Sequence, residues 1–575
     1  MNAERLLAHY EKIADAPDAI ARLRRFILDL AVRGKLVPQD ANDEPASELL
    51  KRIAKEKARL VKAGEIRKPK AMPALAETPF PIPPNWRWSQ LAEIGVLSPR
   101  NEASDALEAS FVPMPLIAAE YGVANQHEVR LWGEIKKGYT HFAEGDVGLA
   151  KITPCFENGK STVFRNLTGE IGAGTTELHI VRPLFVDQDF ILLFLKSPHF
   201  IETGIPKMTG TAGQKRVPTE YFAHSPFPLP PLAEQRRIVA KVDELMGLCD
   251  RLEAARAGRE VVRDRLAAAS LARLNAPDPK TFEGDARFAL DALPALTTRP
   301  DQIKALRQTI LNLAVRGKLV PQDAGDEPAS ALLERIAKEK VRLMKAGAIP
   351  AKKEPVRDSA KMTEKLPASW CPIALGQVCN LVTSGSRGWA EFYATSGPSF
   401  IRAQNIRFGH LRLSELAFVN PPSNSEGSRT QVAKGDLLIV ITGAGVTNPA
   451  ILDHDPGEAY VSQHVGLVRP SDRRLSGWLL LCLMAGAGGR SELVERAYGA
   501  GKPGLNLDNI RSLSIPLPPL AEQHRIVAKV DALMALCDQL EASLTATAAT
   551  RRRLLDALLA EALAPVDARE MEAAE

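Results

Sequence analysis

The 575-residue sequence contains no apolar run of the roughly 18 residues that a membrane-spanning helix needs. Its first twelve residues carry charges where a signal peptide would require an apolar stretch. The net charge of +5 is small for this length, so it is compatible with an anionic partner but does not identify one. These absences predict a cytoplasmic protein that has no membrane interaction. The length of the chain predicts several domains.

Cysteine is scarce and shows no metal-binding pattern. None of the cysteines forms a Cys-x-x-Cys pair or has a histidine at zinc-ligand spacing, so reduced and mostly buried thiols are predicted. The six positions are Cys155, Cys249, Cys371, Cys379, Cys482 and Cys537.

Catalytic motifs are also missing: there is no Walker lysine loop, no His-Glu-x-x-His and no Gly-x-Ser-x-Gly. Residues 420–423, Asn-Pro-Pro-Ser, resemble a base-gripping loop of DNA amino-methyltransferases but lack its aromatic residue, which favours a surface turn. Glu134 and Lys136 have nuclease-like spacing without a second acid nearby, which favours a solvated pair. The chain is therefore predicted to be non-catalytic and to hold no metal or cofactor of its own.

What the sequence does contain is a long internal repeat. Residues 30–64 return at 313–347 with 30 of 35 positions identical, and residues 228–254 return at 516–542 with 23 of 27 identical. Between these blocks lie two inserts of similar length, in which identity falls to short scattered matches. The repeat predicts two similar frames that carry two different inserts.

The repeated blocks are predicted to be helical. The first carries two apolar stripes at helical spacing and ends at Gly64, which indicates a helix hairpin. In the second, residues 234–274 follow a seam through Ile238, Val242 and Cys249, which predicts a helix about 60 Å long. We expect the two long helices to pair antiparallel across a pseudo-twofold axis. In the alternative, each helix packs on its own insert.

The two inserts share the same order of sequence features. Each opens with a tryptophan, Trp86 or Trp370, and continues with β-rich runs, a Gly-Asp turn, a strand that ends in Arg-Pro and a short apolar helix. A glycine-rich loop follows in each, at 210–216 and at 498–504. Because the apolar positions are kept while the polar ones change, the pattern is typical of two specificity modules with one fold.

The duplicated Pro-Leu-Pro-Pro-Leu-Ala-Glu-Gln-x-Arg-Ile-Val and Leu-Ala-Val-Arg-Gly-Lys-Leu-Val motifs, with the two tryptophans, resemble the specificity subunit of type I restriction-modification systems over nearly the whole chain. The resemblance implies an α+β fold with two α/β target-recognition domains. Two conserved helical regions that form an antiparallel coiled coil separate them. The expected segments are a helical region at 1–82, recognition domains at 83–227 and 366–515, a central helical region at 228–365 and a C-terminal long helix at 516–575.

The resemblance also implies the partners. They are double-stranded DNA, two methyltransferase subunits docked on the helices, and motor-nuclease restriction subunits. S-adenosylmethionine, ATP and magnesium are expected on those subunits. Each insert would read one half of a split, asymmetric target, and the helices would set the length of the spacer between the halves.

For the DNA contacts we expect polar residues at the strand ends and in the glycine loops, where Arg or Lys can read guanine and Asn or Gln can read adenine. Structural roles such as turn caps or ordinary strand positions are the alternative for each residue. The candidates are Lys151, Lys160, Thr175, Thr176, Gln214, Lys215 and Arg216 in the first insert, and Arg402, Gln404, Asn405, Thr442, Gln463, His464 and Lys502 in the second.

Two other functions remain open at this point. The chain could be a stand-alone DNA methyltransferase or nuclease whose site is not recognisable from one sequence. It could also be a bipartite DNA-binding scaffold that acts without enzyme partners.

Overall fold

The computed structural model describes residues 15–68, 72–75, 78–211, 213–350, 366–385, 388–421, 425–498 and 503–564. The chain divides into two compact units. The first comprises the residues up to 260 together with those from 548 onward, and the second comprises residues 261–547. Each unit combines helices with β-sheets, so the predicted α+β class is confirmed.

The first unit begins with a helix hairpin and continues through a mixed domain into a long helix. Its elements are α1 Ala19–Val32, α2 Ala46–Lys62, β1 Arg87–Ser89, α3 Leu91–Ile94, β2 Gly95–Leu97, β3 Glu108–Val112, β4 Glu128–Leu131, α4 Trp132–Ile135, β5 Thr140–Ala143, β6 Val147–Ala150, β7 Ser161–Val163, β8 Ile171–Gly174, β9 Leu178–Pro183, α5 Gln188–Lys196, α6 Pro198–Gly204, α7 Thr219–His224, β10 Phe227–Leu229 and the start of α8 Leu232–Asn275.

The second unit follows a similar order after the end of α8, with one helix and one strand pair that have no counterpart among the described elements of the first unit. Its elements are α9 Phe282–Leu296, α10 Pro300–Val315, α11 Ala329–Lys345, β11 Cys371–Ala374, β12 Cys379–Ser384, β13 Tyr393–Ile401, β14 Ile406–Arg407, β15 His410–Leu411, β16 Ala417–Val419, α12 Ser425–Thr430, β17 Leu437–Val440, β18 Pro449–Ile451, β19 Ala459–Val461, β20 Val465–Pro470, α13 Ser476–Met484, α14 Ser491–Tyr498, α15 Leu507–Arg511, β21 Ser514–Leu517 and the start of α16 Leu520–Leu563.

The sheets of the two inserts have matching topology. One sheet has the strand order β2-β9-β6-β7 in the first insert and β12-β20-β17-β18 in the second. In a further sheet, β3 runs parallel to β8, and in the second insert β13 runs parallel to β19. The central strands β6 and β17 are buried at all four positions, so apolar packing keeps the same strand order while the polar residues at the strand ends differ. The predicted common plan of the inserts is thus confirmed.

The same ion pair supports the central strands of both inserts. The guanidinium of Arg182 donates to both carboxylate oxygens of Asp146, at 2.8 and 2.9 Å. Arg469 donates in the same way to Asp436, at 2.9 and 2.7 Å. Both aspartates are 1% exposed, and a buried carboxylate is tolerated only when it is paired. The aspartate of the Gly-Asp turn and the arginine of the Arg-Pro strand end, which the sequence pattern shows in both inserts, therefore form one ion pair.

Each insert is joined to its frame by a buried glutamate in the first turn of a long helix. Glu234 accepts a hydrogen bond from the Trp86 indole at 3.0 Å and one from the Gln39 amide at 2.6 Å. Glu522 accepts the equivalent bonds from Trp370 at 2.9 Å and Gln322 at 2.5 Å. Burial raises the pKa of both carboxyls, and the hydrogen bonds oppose that shift.

The strand before each long helix closes the insert that precedes it. β10 pairs antiparallel with β1, and β21 pairs antiparallel with β11. Both strands cross the domain boundaries predicted at 227/228 and 515/516. The first residues of the Pro-Leu-Pro-Pro motif therefore complete a β-ladder with the insert before the later prolines end it.

The long helices have the predicted length, since 44 residues correspond to about 66 Å. Their first halves pack on their own inserts. Ile238, Val242 and Cys249 are buried in the core of the first unit, and the equivalent side chains of α16 are buried in the core of the second. For this part of the seam, the alternative interpretation describes the packing correctly.

The far end of each long helix packs on the first helix of a hairpin. In the first unit, Leu558 and Ala562 of α16 pack in small clusters with α1. Lys35 donates to the carbonyls of Leu563, the last residue of α16, and of Ala564, which follows it, at 3.0 Å each. In the second unit, the Asn275 side chain at the end of α8 donates to Thr309 of α10 at 2.9 Å. The hairpins are thus packing sites for helix ends.

The sequence also predicted reduced thiols and no membrane-spanning helix. All six cysteines are free thiols, and four of them are buried. Within the described ranges, every helix falls short of the length or the hydropathy that a bilayer-spanning segment requires.

The glutamate joint can be tested by removing its acceptor. We expect Glu234→Ala to lower the free energy of unfolding by about 2–4 kcal/mol, because the buried Trp86 and Gln39 donors lose their partner. Urea unfolding followed by tryptophan fluorescence measures this loss. The matched control is Glu244→Ala on the same helix, where an exposed pair with Lys241 contributes about 0.5 kcal/mol or less. Equal effects of the two substitutions would refute a structural role for Glu234.

Candidate nucleic-acid interface

The polar candidates of the first insert meet at one edge of its sheets. Because β3 and β8 are parallel and pair Val112 with Gly174, the segments after them leave at the same side. Thr175 and Thr176 follow β8 directly, and Thr176 is exposed. Lys151 follows β6, and its N–H donates to the Glu177 carbonyl at 2.9 Å. Three candidates are therefore neighbours in space.

The glycine-loop candidates lie on the same edge. The Val217 N–H donates to the Lys151 carbonyl at 2.8 Å, and the Thr153 N–H donates to the Lys215 carbonyl at 2.9 Å. Gln214, Lys215 and Arg216 are all exposed. We call the group formed by Lys151, Thr175, Thr176 and residues 214–216 the first edge.

A carboxylate that the sequence analysis missed fixes the arginine of the first edge. Arg216 donates through Nε and Nη2 to the two carboxylate oxygens of Glu177, at 2.9 and 2.8 Å. The hydrogen bonds from Arg216 lower the pKa of Glu177, so this carboxyl is ionised at neutral pH. The Nη1 group donates to the Gln214 carbonyl at 3.1 Å. The guanidinium is thus held in one orientation at the surface.

Lys160 differs from the other basic candidates. Its carbonyl accepts from the Ala150 N–H at 2.9 Å, which places its backbone beside the first edge. Its ammonium, however, donates to the Met114 carbonyl at 3.2 Å in the segment after β3. Lys160 therefore also links two segments of the insert.

The second insert has the same backbone arrangement at its own edge. The Ile441 N–H donates to the His464 carbonyl at 2.9 Å, and the Leu505 N–H donates to the Ile441 carbonyl at 2.9 Å. These bonds correspond one for one to those of Lys151 with Glu177 and Val217. The positions of Glu177 and His464 are therefore equivalent, a match that the aligned sequences of the two inserts already contained.

The side chains of this edge form a different polar group. The His464 Nδ1 lies 2.5 Å from the Thr442 hydroxyl, and its Nε2 lies 3.2 Å from the Gln463 amide nitrogen. A neutral imidazole with its proton on Nδ1 satisfies both contacts. Gln463 and His464 are exposed. We call Thr442, Gln463 and His464, together with Arg402 and Gln404, the second edge.

Arg402 and Gln404 join this edge because β13 and β19 are parallel. The Ser462 N–H donates to the Ile401 carbonyl at 3.0 Å, so the segments after both strands begin side by side. Gln404 is exposed. Arg402 is half-buried and donates to the Glu415 carbonyl at 3.2 Å, which leaves it partly committed to its own loop.

Asn405, in contrast, is buried within a turn. It is 1% exposed, and its amide donates to the carbonyls of Arg412 and Glu415 at 3.1 and 3.2 Å. Its oxygen accepts from the Arg402 N–H at 3.0 Å. The side chain of Asn405 is therefore used within its own turn, and this geometry favours the alternative of a turn cap over a DNA contact. Burial of one member of an adjacent amide pair was not visible from the sequence.

Lys502 lies outside the described residues, as do residues 499–501 of the second glycine loop. Gly504, the last residue of that loop, forms a backbone bridge with Thr442. The end of the loop therefore reaches the second edge, as residues 214–216 reach the first.

The catalytic alternatives gain no geometric support in the described part of the chain. Lys136 pairs with Asp105, and Ile135 between Glu134 and Lys136 is buried in the core. No group of three or more His, Cys, Asp and Glu side chains in these ranges is arranged to hold a metal ion. Residues 422–423 of the Asn-Pro-Pro-Ser segment lie outside the described residues.

Comparisons with known proteins agree with the sequence resemblance. A family model for the type I restriction modification DNA specificity domain matches residues 370–548. The chain is 39% identical over 556 residues to the type I restriction enzyme EcoAI specificity subunit of Escherichia coli, covering 94% of this chain and 93% of that one. The chain belongs to the type I restriction enzyme specificity subunits.

Two further similarities were found. The chain is 40% identical over 570 residues to the EcoEI specificity subunit of Escherichia coli, covering 95% of this chain and 94% of the relative. The solved HsdS subunit from Thermoanaerobacter tengcongensis is 22% identical, with 85% of this chain and 99% of that chain covered and a TM-score of 0.46. Family membership places the chain among the non-catalytic specificity subunits, in agreement with the sequence prediction.

Proposed function

We propose that this chain selects the DNA target of a type I restriction-modification complex, and that each insert recognises one half of a split, asymmetric site. Family membership supports the DNA-recognition role. One observation supports the division of labour: the two edges share their backbone hydrogen bonds but differ in their side chains. A pair formed by Glu177 and Arg216 in one insert is replaced by Thr442 and His464 in the other.

The first edge has the chemistry of a basic reading surface. Lys151 and Lys215 supply cations that suit phosphate contacts, which set register without reading sequence. Arg216 is oriented by Glu177, and its remaining Nη1 and Nη2 hydrogens suit the O6 and N7 acceptors of a guanine. An arginine that is already oriented loses less conformational entropy on binding, so this pair favours specific rather than general contact.

The second edge is less charged and richer in amides. Gln404 and Gln463 each offer one donor and one acceptor, the pair of groups that recognises adenine. His464 is oriented by the Thr442 hydroxyl and by Gln463. The two edges therefore suit different bases, which would make the full target asymmetric although the frame is nearly twofold.

The division can be tested with one substitution in each edge. We expect Arg216→Ala to relax base choice in one half-site only, with a loss of discrimination of about 1–3 kcal/mol for the contacted base pair. Gln463→Ala should relax the other half-site. The measurement is sequencing of methylated sites in a host that expresses the full chain with its partner subunits.

Arg87→Ala serves as the matched control, because Arg87 is an exposed arginine of the same insert that donates to the carbonyls of Pro84 and Trp86 away from the edge. It should leave both half-sites unchanged. The proposal fails if Arg216→Ala and Gln463→Ala alter the same half-site, or if neither alters any.

The long helices are proposed to set the spacer between the half-sites. Both α8 and α16 begin in one unit and end in the other, as single uninterrupted helices. A change in length must therefore be made in both helices at equivalent positions. Residues 260 and 548 are such positions, since the second repeated block recurs at an offset of 288.

Insertion of four residues after both positions lengthens each helix by about 6 Å and turns it by about 40°. DNA advances 3.4 Å per base pair and turns by roughly 35°. We therefore expect a spacer longer by about one or two base pairs with both half-sites intact, measured by the same methylation sequencing. A two-residue insertion, which turns the far half by about 200°, should instead misplace the buried Leu274 and Ala562 and inactivate the chain. An altered half-site with an unchanged spacer would rule out a ruler.

The chain also assembles with other subunits, and we propose that two copies of a methyltransferase subunit dock on the duplicated helices. Leu248 on α8 is 39% exposed, and Leu536, at the same repeat position on α16, is 58% exposed. Two equal apolar side chains at two equivalent places fit one partner bound twice. Motor-nuclease subunits would complete the complex in the cytoplasm, with S-adenosylmethionine, ATP and magnesium bound by the partners.

The docking proposal predicts a stoichiometry. Leu248→Asp and Leu536→Asp should each remove one methyltransferase subunit, and the double variant should remove both, because a buried charge at the contact is costly. Native mass spectrometry of the purified complex counts the subunits. Leu266→Asp is the control, since Leu266 is equally exposed on α8 but its counterpart Leu554 is half-buried. Two bound subunits in all three single variants would refute the docking site.

A further inference from the structure

A buried lysine stands behind the first edge. Lys196 is the last residue of α5 and is 6% exposed. Its ammonium donates to the Ala119 carbonyl at 2.9 Å and to the Gly159 carbonyl at 3.1 Å, and it lies 3.5 Å from the Ala118 carbonyl. A buried ammonium is unfavourable unless its hydrogens are used, and here they meet three carbonyls.

The two segments joined by Lys196 both border the first edge. Residues 113–127 follow β3, and the Met114 carbonyl in this segment accepts from Lys160. Residues 151–160 follow β6 and begin with Lys151 of the first edge. Lys196 therefore connects the segments after β3 and β6, which belong to two different sheets of the insert, at the side where the candidate DNA contacts lie.

The segment after β3 has a second anchor on the long helix. The Tyr121 hydroxyl donates to the Asp243 carboxylate of α8 at 2.8 Å. Ala118, Ala119 and Tyr121 are close in sequence, so this short stretch is fixed from two directions within the first unit. A segment without regular secondary structure gains its fixed shape from such contacts.

In the second insert, the position equivalent to Lys196 holds an uncharged side chain. Met484 is the last residue of α13, at the position that Lys196 has in α5. Its methyl group lies against Gly409, between β14 and β15. These strands pair with each other, Ile406 with Leu411 and Arg407 with His410, so the segment satisfies its own backbone groups. The matching segment of the first insert has no such hairpin and depends on side-chain donors.

We propose that Lys196 is a positioning residue for DNA recognition by the first insert: its ammonium sets the placement of the segments that carry the first edge, and base choice in one half-site depends on it. This inference rests on the proposed function of the inserts. Burial lowers the pKa of Lys196 to about 7, and the nearby charge of Glu120 opposes this shift, so burial at this position disfavours the charged form of the side chain. A residue that served only packing would be better replaced by the methionine of the second insert.

The test is a graded series at this position in the full chain with its methyltransferase partners. Lys196→Met removes every donor, and Lys196→Gln keeps an amide that can still donate to two carbonyls. Each complex selects from a library of random-sequence DNA duplexes, and the bound sequences give base preferences for both half-sites. We expect discrimination at one half-site to fall about tenfold for Lys196→Met and less for Lys196→Gln, while the other half-site keeps its preferences.

The second half-site is an internal control for folding, because it is read by the same molecule. Thermal unfolding of each variant separates a general loss of stability from a loss of placement. Tyr121→Phe, which removes the other anchor of the segment, should relax the same half-site as Lys196→Met. Unchanged preferences in Lys196→Met, or equal losses in both half-sites, would overturn the inference.

The outcome can be separated from a failure of the proposed function. If Arg216→Ala relaxes one half-site and Lys196→Met relaxes none, the role of Lys196 is refuted and the division of labour stands. If Arg216→Ala also leaves both half-sites unchanged, the proposed reading edge is refuted.

Discussion

The structure depends on a buried carboxylate at the start of each long helix. Glu234 and Glu522 accept hydrogen bonds from the first tryptophan of an insert and from a glutamine in the loop between the two helices of a hairpin. One side chain thus joins insert, hairpin and long helix, three segments far apart in sequence. Its place in the first turn of the helix is favourable, since free N–H groups there attract negative charge. The same hydrogen bonds occur in both units, and the glutamate and the glutamine of each joint lie in the repeated blocks.

Because this joint is the same in both units, the inserts differ in the side chains at the edges of their sheets. The bonds between the backbones of Lys151, Glu177 and Val217 reappear between Ile441, His464 and Leu505. Since these bonds do not involve side chains, the residues that carry them can change without refolding the insert. The buried pair of Asp146 with Arg182, repeated as Asp436 with Arg469, braces the same strands from inside. Because the backbone hydrogen bonds and the buried ion pair are the same in both inserts, the surface side chains can differ between them.

The sequence was sufficient to predict the parts of the fold that follow from periodicity. The helix hairpins, the two long helices and the common fold of the inserts were all predicted from apolar spacing and from the repeat. It was not sufficient for properties that depend on distant partners. Asn405 and Gln404 are adjacent amides with the same polarity, yet only one is buried. Glu177 acquires its role from Arg216, 39 residues away, and no local pattern marks that pairing.

The two inserts differ behind their edges as well as on them. The segment after β13 leads into a hairpin of its own, β14 and β15, and packs against a methionine. The segment after β3 is instead held by a lysine of α5 and by its own tyrosine, which bonds to an aspartate of α8. Side chains on an edge are therefore presented by two different supports that share one sheet. An exchange of surface residues between the inserts would place each set on a support shaped for the other. Because recognition of a base depends on placing donors within a few tenths of an ångström, divergence in what an insert reads has to include the buried residues that hold its segments.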